Sequence, residues 1–247
     1  MISSIDINCD MGEGMPNDAL IMPFISSANI ACGLHAGDET TMQRTIELAI
    51  EHNVAIGAHP SFPDRENFGR SNMLLPADYV FDIVKQQIEI LSIIASKNNI
   101  KLHHVKPHGA MYNIAAFDES LADAICRAII SIDPSLLVYQ LSGSPFIEVA
   151  KSLGLKTVNE VFADRTYQND GSLTFRSQPN ALLQDESAVK KQVLQLLEKK
   201  VTTVDNVTIP LIADSICIHG DGESAVAFAK TINGLLKENK IQIKVPQ

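Results

Sequence analysis

The chain has 247 residues, of which 45% are hydrophobic, and a formal net charge of −9. That length and apolar content suit one domain over residues 1–247 with a sizeable buried core, in the size range of α/β barrels. The acidic balance, with no Lys/Arg run, excludes a phosphate-backbone footprint and argues against a nucleic-acid partner.

Residues 1–6 lack a basic region followed by an apolar run, so no signal peptide is expected. No apolar stretch approaches the roughly 18 residues needed to cross a bilayer, so no membrane partner is expected. Cys9, Cys32, Cys126 and Cys217 show no CxxC spacing. Three of them lie in apolar strand-like runs, which reads as buried, reduced thiols in a cytoplasmic protein.

In chain order, Ile5-Asp6-Ile7-Asn8-Cys9-Asp10 alternates with the period of a strand. Ile5, Ile7 and Cys9 form its apolar face, and Asp6, Asn8 and Asp10 the other. In a parallel barrel one strand face meets the helices and the other the lumen, so this polar face would be interior and need partners. The loop Met11-Gly12-Glu13-Gly14 leaves Glu13 near the strand end. A second strand begins at Ala28, breaks at Gly33, offers His35, turns at Gly37 and reaches Asp38, a good helix N-cap.

Residues 40–53 read as a helix, with Met42, Ile46 and Ala49/Ile50 on one side. A third strand over 54–59 ends in His59-Pro60, before a turn-rich loop through Arg65 and Arg70. A long helix is expected over 76–98 and a fourth strand over 101–106, with Leu102, His104 and Lys106 on one face and His108 just beyond. Asp118 can cap the next helix. A fifth strand over 136–141 precedes a helix opened by Pro145 and closed by Gly154. A sixth strand over 156–162 ends in Ala163-Asp164-Arg165, and Asp185 caps a further helix. The seventh strand, 214–218, ends in His219-Gly220-Asp221. A last helix from Ser224 and a short final strand over 240–245 complete the chain.

Seven strands alternating with helices imply a parallel sheet. A closed barrel explains the polar strand faces better than the alternative, an open doubly wound sheet. Neither GxGxxG after a strand nor GxxxxGK[ST] is present to support that alternative.

The strand ends deliver Asp10, His35, His59, His108, Asp164 and His219. In a β/α barrel these share one mouth, at the carboxyl ends of the strands. A lone strand-end histidine is more often structural; four beside carboxylates point to a catalytic or metal site. Of the other histidines, His52 ends a helix, His103 and His104 lie within a strand, and His104 alone has the polar parity.

Two chemistries fit. Asp10, His35 and His59 could hold a divalent metal, although each comes from a different strand and no HExxH spacing is present. Alternatively Asp10, Asp164 or a histidine moves protons, while Lys106, Arg65, Arg70 or Arg165 holds an anionic substrate or a phosphoryl group. No Gly-x-Ser-x-Gly elbow appears, and no cysteine lies in a nucleophile context.

These motifs together resemble the LamB/YcsF family nearly end to end. The resemblance rests on Asp6-Ile7-Asn8-Cys9-Asp10-Met11-Gly12-Glu13, residues 28–38, Ile56-Gly57-Ala58-His59-Pro60-Ser61-Phe62-Pro63-Asp64 and Phe68-Gly69-Arg70. It continues through Lys106-Pro107-His108-Gly109-Ala110-Met111-Tyr112-Asn113, Phe162-Ala163-Asp164-Arg165-x-Tyr167, Asp170-Gly171 and Cys217-Ile218-His219-Gly220-Asp221. Ser71 stands where the family commonly has a second arginine, and Gly222-Glu223-Ser224 departs from its usual wording.

The resemblance implies a seven-stranded parallel β/α barrel similar to the glycoside hydrolase/deacetylase superfamily. It implies ATP-dependent opening of 5-oxo-L-proline (pyroglutamate) to L-glutamate, with ATP as co-substrate and the B and C subunits of a 5-oxoprolinase as partners. The candidate catalytic residues are then Asp10, Lys106, His108, Asp164 and His219. Asn8, Glu13, Arg65, Arg70 and Arg165 are the candidate substrate-binding residues, and Asp10, His35 and His59 the candidate metal ligands. The chain has no recognisable ATP motif, so ATP would bind an unfamiliar loop or sit partly on a partner. Two other readings stay open: a metal-dependent, deacetylase-like amide hydrolase acting without ATP, and a non-catalytic subunit that binds pyroglutamate.

Overall fold

The computed structural model describes residues 2–220, 222 and 224–247. Asp221, which closes the last strand-end motif, lies outside the described residues, as do Met1 and Glu223. In chain order the elements are β1 (Ser4–Met11), α1 (Asp18–Ile21), a 3-10 turn (Met22–Phe24), β2 (Ser27–Ala31), α2 (Glu39–Glu51), β3 (Ala55–His59), α3 (Ala77–Lys97), β4 (His104–Val105) and α4 (Gly109–Ala115). Then follow α5 (Glu119–Ile132), β5 (Leu137–Leu141), α6 (Pro145–Ser152), β6 (Thr157–Phe162), α7 (Glu186–Leu197), β7 (Lys200–Thr202), β8 (Thr208–Pro210), β9 (Ser215–Ile218), α8 (Ala225–Glu238) and β10 (Gln242–Ile243).

The helix starts follow from local chemistry. Asp38, Asp118 and Asp185 each hold an extended backbone, and each carboxylate accepts from an amide three residues on: Thr41 at 2.8 Å, Leu121 at 3.0 Å and Ala188 at 2.9 Å. Each cap satisfies an amide that the helix leaves open, worth about 0.5–2 kcal/mol. Pro145 is the first residue of α6, where its missing N–H costs nothing.

Strands β1, β2, β3, β4, β5, β6 and β9 pair in that order, all parallel, and β9 pairs back onto β1 through Asp6 with Ser215 and Cys9 with Ile218. The result is a closed seven-stranded barrel wrapped by helices, so the open-sheet alternative is set aside. β10 lies parallel against the start of β1, and β7 and β8 form a separate antiparallel pair.

Closure decides which strand face meets what. Ile5, Ile7 and Cys9 turn outward into the core beneath the helices. Asp6, Asn8 and Asp10 turn into the lumen and are buried there. At the bottom, Asp6 accepts from the hydroxyls of Ser26, Ser27, Ser215 and Tyr139 at 2.5–3.1 Å. One level up, the Asn29 amide donates to Asn8 Oδ1 and Asp10 Oδ1, both at 2.8 Å, and His104 Nε2–H donates to Asn29 Oδ1 at 2.7 Å. Gly57 makes room for this: a Cβ there would lie 2.3 Å from the His104 ring.

The expected elements recur with differences. The fourth strand shrinks from 101–106 to His104–Val105. Pairing toward the mouth is limited by Pro107, which has no N–H to give the ladder. The final strand shrinks from 240–245 to Gln242–Ile243. The α1 turn, α4 and the β7–β8 pair have no counterpart among the elements expected from sequence.

Candidate active site

At the carboxyl ends of the strands the lumen opens into a cavity of about 430 Å³. Asp10, Glu13, His59, Lys106, His108 and His219 line its floor, Arg70, Arg165 and Arg176 its sides, and Phe117 and Phe175 the outer wall.

Lys106 is the buried cation at the base. Its Nζ lies 2.9 Å from Asp10 Oδ1, 2.8 Å from Glu160 Oε1, 3.1 Å from Asn8 Oδ1 and 3.1 Å from Cys217 Sγ. Burial works against its charge, but Asp10 and Glu160 beside it hold the ammonium well above the ordinary lysine range. Burial likewise opposes ionisation of Asp10, but positive charge beside it, that of the Lys106 ammonium at 2.9 Å, holds the carboxyl well below the usual carboxylate range. The lysine is thus an ammonium and Asp10 a carboxylate at neutral pH. Glu160 meets Lys106 as an ion pair at full burial.

On one side of the mouth three histidines close on Glu13. Glu13 Oε1 lies 3.1 Å from His35 Nε2, 3.3 Å from His108 Nδ1 and 3.7 Å from His59 Nε2. The far nitrogen of each ring has an outward partner, and those partners set the tautomers. His59 Nδ1–H donates to the Lys106 carbonyl at 2.7 Å, and His108 Nε2–H to the Phe68 carbonyl at 2.9 Å. The Ser61 hydroxyl gives its hydrogen to the Phe62 carbonyl, so it accepts from His35 Nδ1–H at 2.9 Å. The three facing nitrogens therefore carry lone pairs. His59 Nε2 and His108 Nδ1 meet at 2.9 Å, an arrangement that a proton or a metal cation between them stabilises. Protons are disfavoured: burial depresses His35 to about 3 and pushes His108 well below its usual range.

These four residues fit a divalent metal: three neutral imidazoles and a carboxylate offer ligand atoms within 4.8 Å of one another, each imidazole fixed by a second partner. This donor set contains His35 and His59 of the expected trio of Asp10, His35 and His59. Asp10 turns toward Lys106, with its other oxygen 3.4 Å from His59 Nε2. Glu13 and His108 complete the cluster around His35 and His59. The backbone dictates the crowding. Gly69 has φ +66°, and a Cβ on it would lie 2.9 Å from His108 Cδ2 and 3.0 Å from His35 Cβ. Those two rings stack at 3.9 Å.

Across the mouth His219 Nδ1–H donates to both Asp164 oxygens, at 2.9 and 3.0 Å. Burial opposes ionisation of Asp164, but the His219 imidazole beside it holds the carboxyl below its usual range. The ring stacks on Phe162 with centroids 5.6 Å apart. Anchored through Nδ1, His219 has Nε2 left to act as a base on the cavity side.

Other expected residues sit elsewhere. Arg65 is not among the cavity-lining residues; it donates to the carbonyls of Gly33 at 2.8 Å and Gly37 at 3.0 Å, clasping the β2–α2 loop. Asn8 lies below the cavity in the lumen network. Arg70 lines the cavity with its guanidinium over the Phe68 ring. Sequence reasoning missed Glu160, Asn29, Tyr112 and Arg176. Glu160 and Asn29 carried a signal, since both stand at lumen parity in their strands.

The parallel β/α barrel is an architecture found also in a carbohydrate esterase. The family 4 carbohydrate esterase from Streptomyces lividans superposes with TM-score 0.51 at 9% identity, covering 99% of this chain and 93% of that one, a likeness of fold alone. The LamB/YcsF family profile matches residues 5–247, and the chain belongs to that family. The A subunit of a 5-oxoprolinase from Tolumonas auensis is 51% identical over 249 residues, covering 98% of this chain and 99% of the relative. The crystal structure of the lactam utilization protein from Thermus thermophilus superposes with TM-score 0.91 at 36% identity, covering 98% of this chain and 99% of that one.

Proposed function

We propose that this chain is the A subunit of a 5-oxoprolinase that opens 5-oxo-L-proline to L-glutamate with ATP as co-substrate, working with B and C subunits. The observation that carries this reading is the 51% identity, over nearly the whole of both chains, with a protein named as the A subunit of a 5-oxoprolinase. The site's chemistry supports it.

The substrate is a five-membered lactam whose amide resonance makes the ring carbonyl a poor electrophile. Transfer of the terminal phosphoryl group of ATP to the lactam oxygen leaves ADP and an activated ring carbon. Water adds to that carbon, losing a proton to a base. The ring C–N bond then breaks with a proton delivered to nitrogen, leaving an acyl phosphate. A second water releases phosphate and glutamate. Such a sequence needs a base, an acid and cations.

In this scheme His219, oriented by Asp164, takes the proton from water and later returns it to the leaving nitrogen. Lys106 supplies fixed positive charge at the base of the cavity, where negative charge develops on oxygen. Asp10 holds Lys106 in place, Asn8 supports both from below, and Arg70 and Arg165 face the anionic groups.

The convergence of Glu13, His35, His59 and His108 favours one second reading, a metal-dependent hydrolase acting on a cyclic amide without ATP. When bound there, a divalent cation would polarise a carbonyl and acidify water. The experiment that separates the two follows glutamate formation and ATP hydrolysis by this chain, alone and with its B and C subunits, with bound metal measured in parallel. Turnover that needs both ATP and the partners supports the first reading; amide hydrolysis by the lone, metal-loaded chain supports the second.

A further inference from the structure

We propose that the loop after β3, residues 60–71, is the positioning element of the histidine cluster, with Ser61 and Arg65 acting on cation binding through His35 without touching the cation. The inference rests on the reading that Glu13, His35, His59 and His108 hold a divalent metal; the loop's contacts stand independently of it.

None of the four cluster residues belongs to this loop, yet it holds two of the three rings. The Ser61 hydroxyl accepts from His35 Nδ1–H and the Phe68 carbonyl from His108 Nε2–H, both at 2.9 Å. The Phe68 ring meets both imidazoles edge to face, with centroids 5.5 and 5.4 Å apart. Phe68 stands at φ +57°, a left-handed backbone that a phenylalanine keeps only where its surroundings fix it. The loop supplies that fixing. Asp64 takes the Ser71 N–H at 2.9 Å with its carboxylate and the Gly69 N–H at 2.7 Å with its carbonyl. The carbonyls of Pro60 and Gly69 accept from the amides of His108 at 2.8 Å and Ala110 at 2.9 Å, which ties the loop to the His108 segment.

Ser61 is braced from behind by α3. Gln87, itself buried, accepts from the Ser61 N–H at 2.9 Å and donates to the Ser61 carbonyl at 3.0 Å. The Ser61 hydroxyl gives its own hydrogen to the Phe62 carbonyl, so toward His35 it can only accept. His35 therefore keeps its hydrogen on Nδ1 and its Nε2 lone pair toward the cluster. Without that acceptor the buried Nδ1–H has no partner, and the tautomer with its hydrogen on Nε2, donating to Glu13 at 3.1 Å, is favoured. That tautomer closes Nε2 to a cation. Arg65 works differently. It is exposed, and its fork holds the carbonyls of Gly33 and Gly37 on either side of His35. Losing it frees the segment that carries the ring, and a cation must then order that segment on binding.

The test compares the full-length wild-type chain with Ser61→Ala and Arg65→Gln, with folding checked by circular dichroism. Cobalt alone is titrated into each by calorimetry, and the side-chain nitrogen shifts of His35 are read by NMR before metal is added. Ser61→Ala is expected to bind cobalt roughly tenfold to a hundredfold more weakly than wild type, with the His35 hydrogen moved to Nε2. Arg65→Gln should lose about tenfold with the hydrogen still on Nδ1, because it acts on the segment and not on the ring. Wild-type cobalt affinity in either variant overturns the proposal and leaves the cation site standing. So does a weakened Ser61→Ala whose His35 keeps its hydrogen on Nδ1, since the loss then has another cause. Cobalt binding absent from wild type itself removes the cation reading of the cluster, and this proposal with it.

Discussion

His59 Nε2 and His108 Nδ1 face each other at 2.9 Å, each with its other nitrogen bonded to a backbone carbonyl. With both far nitrogens donating, neither facing nitrogen holds a hydrogen, and Glu13 Oε1 lies 3.7 Å from the first and 3.3 Å from the second. A cation between them relieves the opposed lone pairs. Zinc or cobalt is therefore expected to bind the purified chain at one equivalent and raise its Tm, and His59→Asn is expected to lose tenfold or more in affinity. Metal analysis and calorimetry check this; unchanged binding by His59→Asn would place the metal elsewhere.

Lys106 lies between two buried carboxylates, Asp10 and Glu160. Lys106→Met leaves both without their cation, and a loss of about 3–5 kcal/mol is expected. Adding Glu160→Gln should recover part of that loss, because one uncompensated charge disappears. Urea unfolding of the single and double variants checks it, and strictly additive losses would contradict the coupling.

Gly57 faces the lumen where the His104 ring fills the space that a Cβ would take. Gly57→Ala is expected to destabilise by about 1–3 kcal/mol through displacement of His104 from Asn29. Gly57→Ala in a His104→Ala background should cost much less, since the ring it meets is gone. Equal costs in the two backgrounds would show that the ring is not the obstacle.

Burial, reinforced by His103, pushes His104 well below the usual histidine range. The unfolded chain takes up a proton here below about pH 6.5, whereas the folded chain does not. This residue's stabilising contribution is therefore full above about pH 6.5 and declines as pH falls, by up to about 1.4 kcal/mol per pH unit. The wild-type slope of unfolding free energy between pH 6.5 and 5 should exceed that of His104→Gln by about this amount; identical slopes would contradict it.

Asp164 holds His219 through Nδ1. If His219 is the base, Asp164→Asn should fold normally and lose roughly a hundredfold or more in turnover by the assembled enzyme, because the ring loses its tautomer and orientation. Full activity in that variant would remove the pair from the reaction.

Much of this was written in local sequence chemistry. The alternation of residues 5–10 marked a strand with a polar lumen face, and Asp38, Asp118 and Asp185 marked helix starts found where expected. Strand-end histidines reach a common mouth because every barrel strand is parallel. What sequence could not supply was partnership across the lumen. The backbone turn at Gly12 and Gly14 that brings Glu13, rather than Asp10, onto the histidines is a matter of φ angles of +70° and +84°, not of residue type. Arg65 carries the same charge whether it meets a substrate or, as here, the carbonyls of Gly33 and Gly37. The three-residue strands β7 and β8 are too short for their alternation to register.

The most direct test of the proposed function is glutamate release coupled to ATP hydrolysis by the chain assembled with its B and C subunits. Both products should form together, require 5-oxo-L-proline and all three subunits, and fall in parallel in the Asp164→Asn variant. Glutamate formed by the isolated chain at the same rate with and without ATP would contradict it.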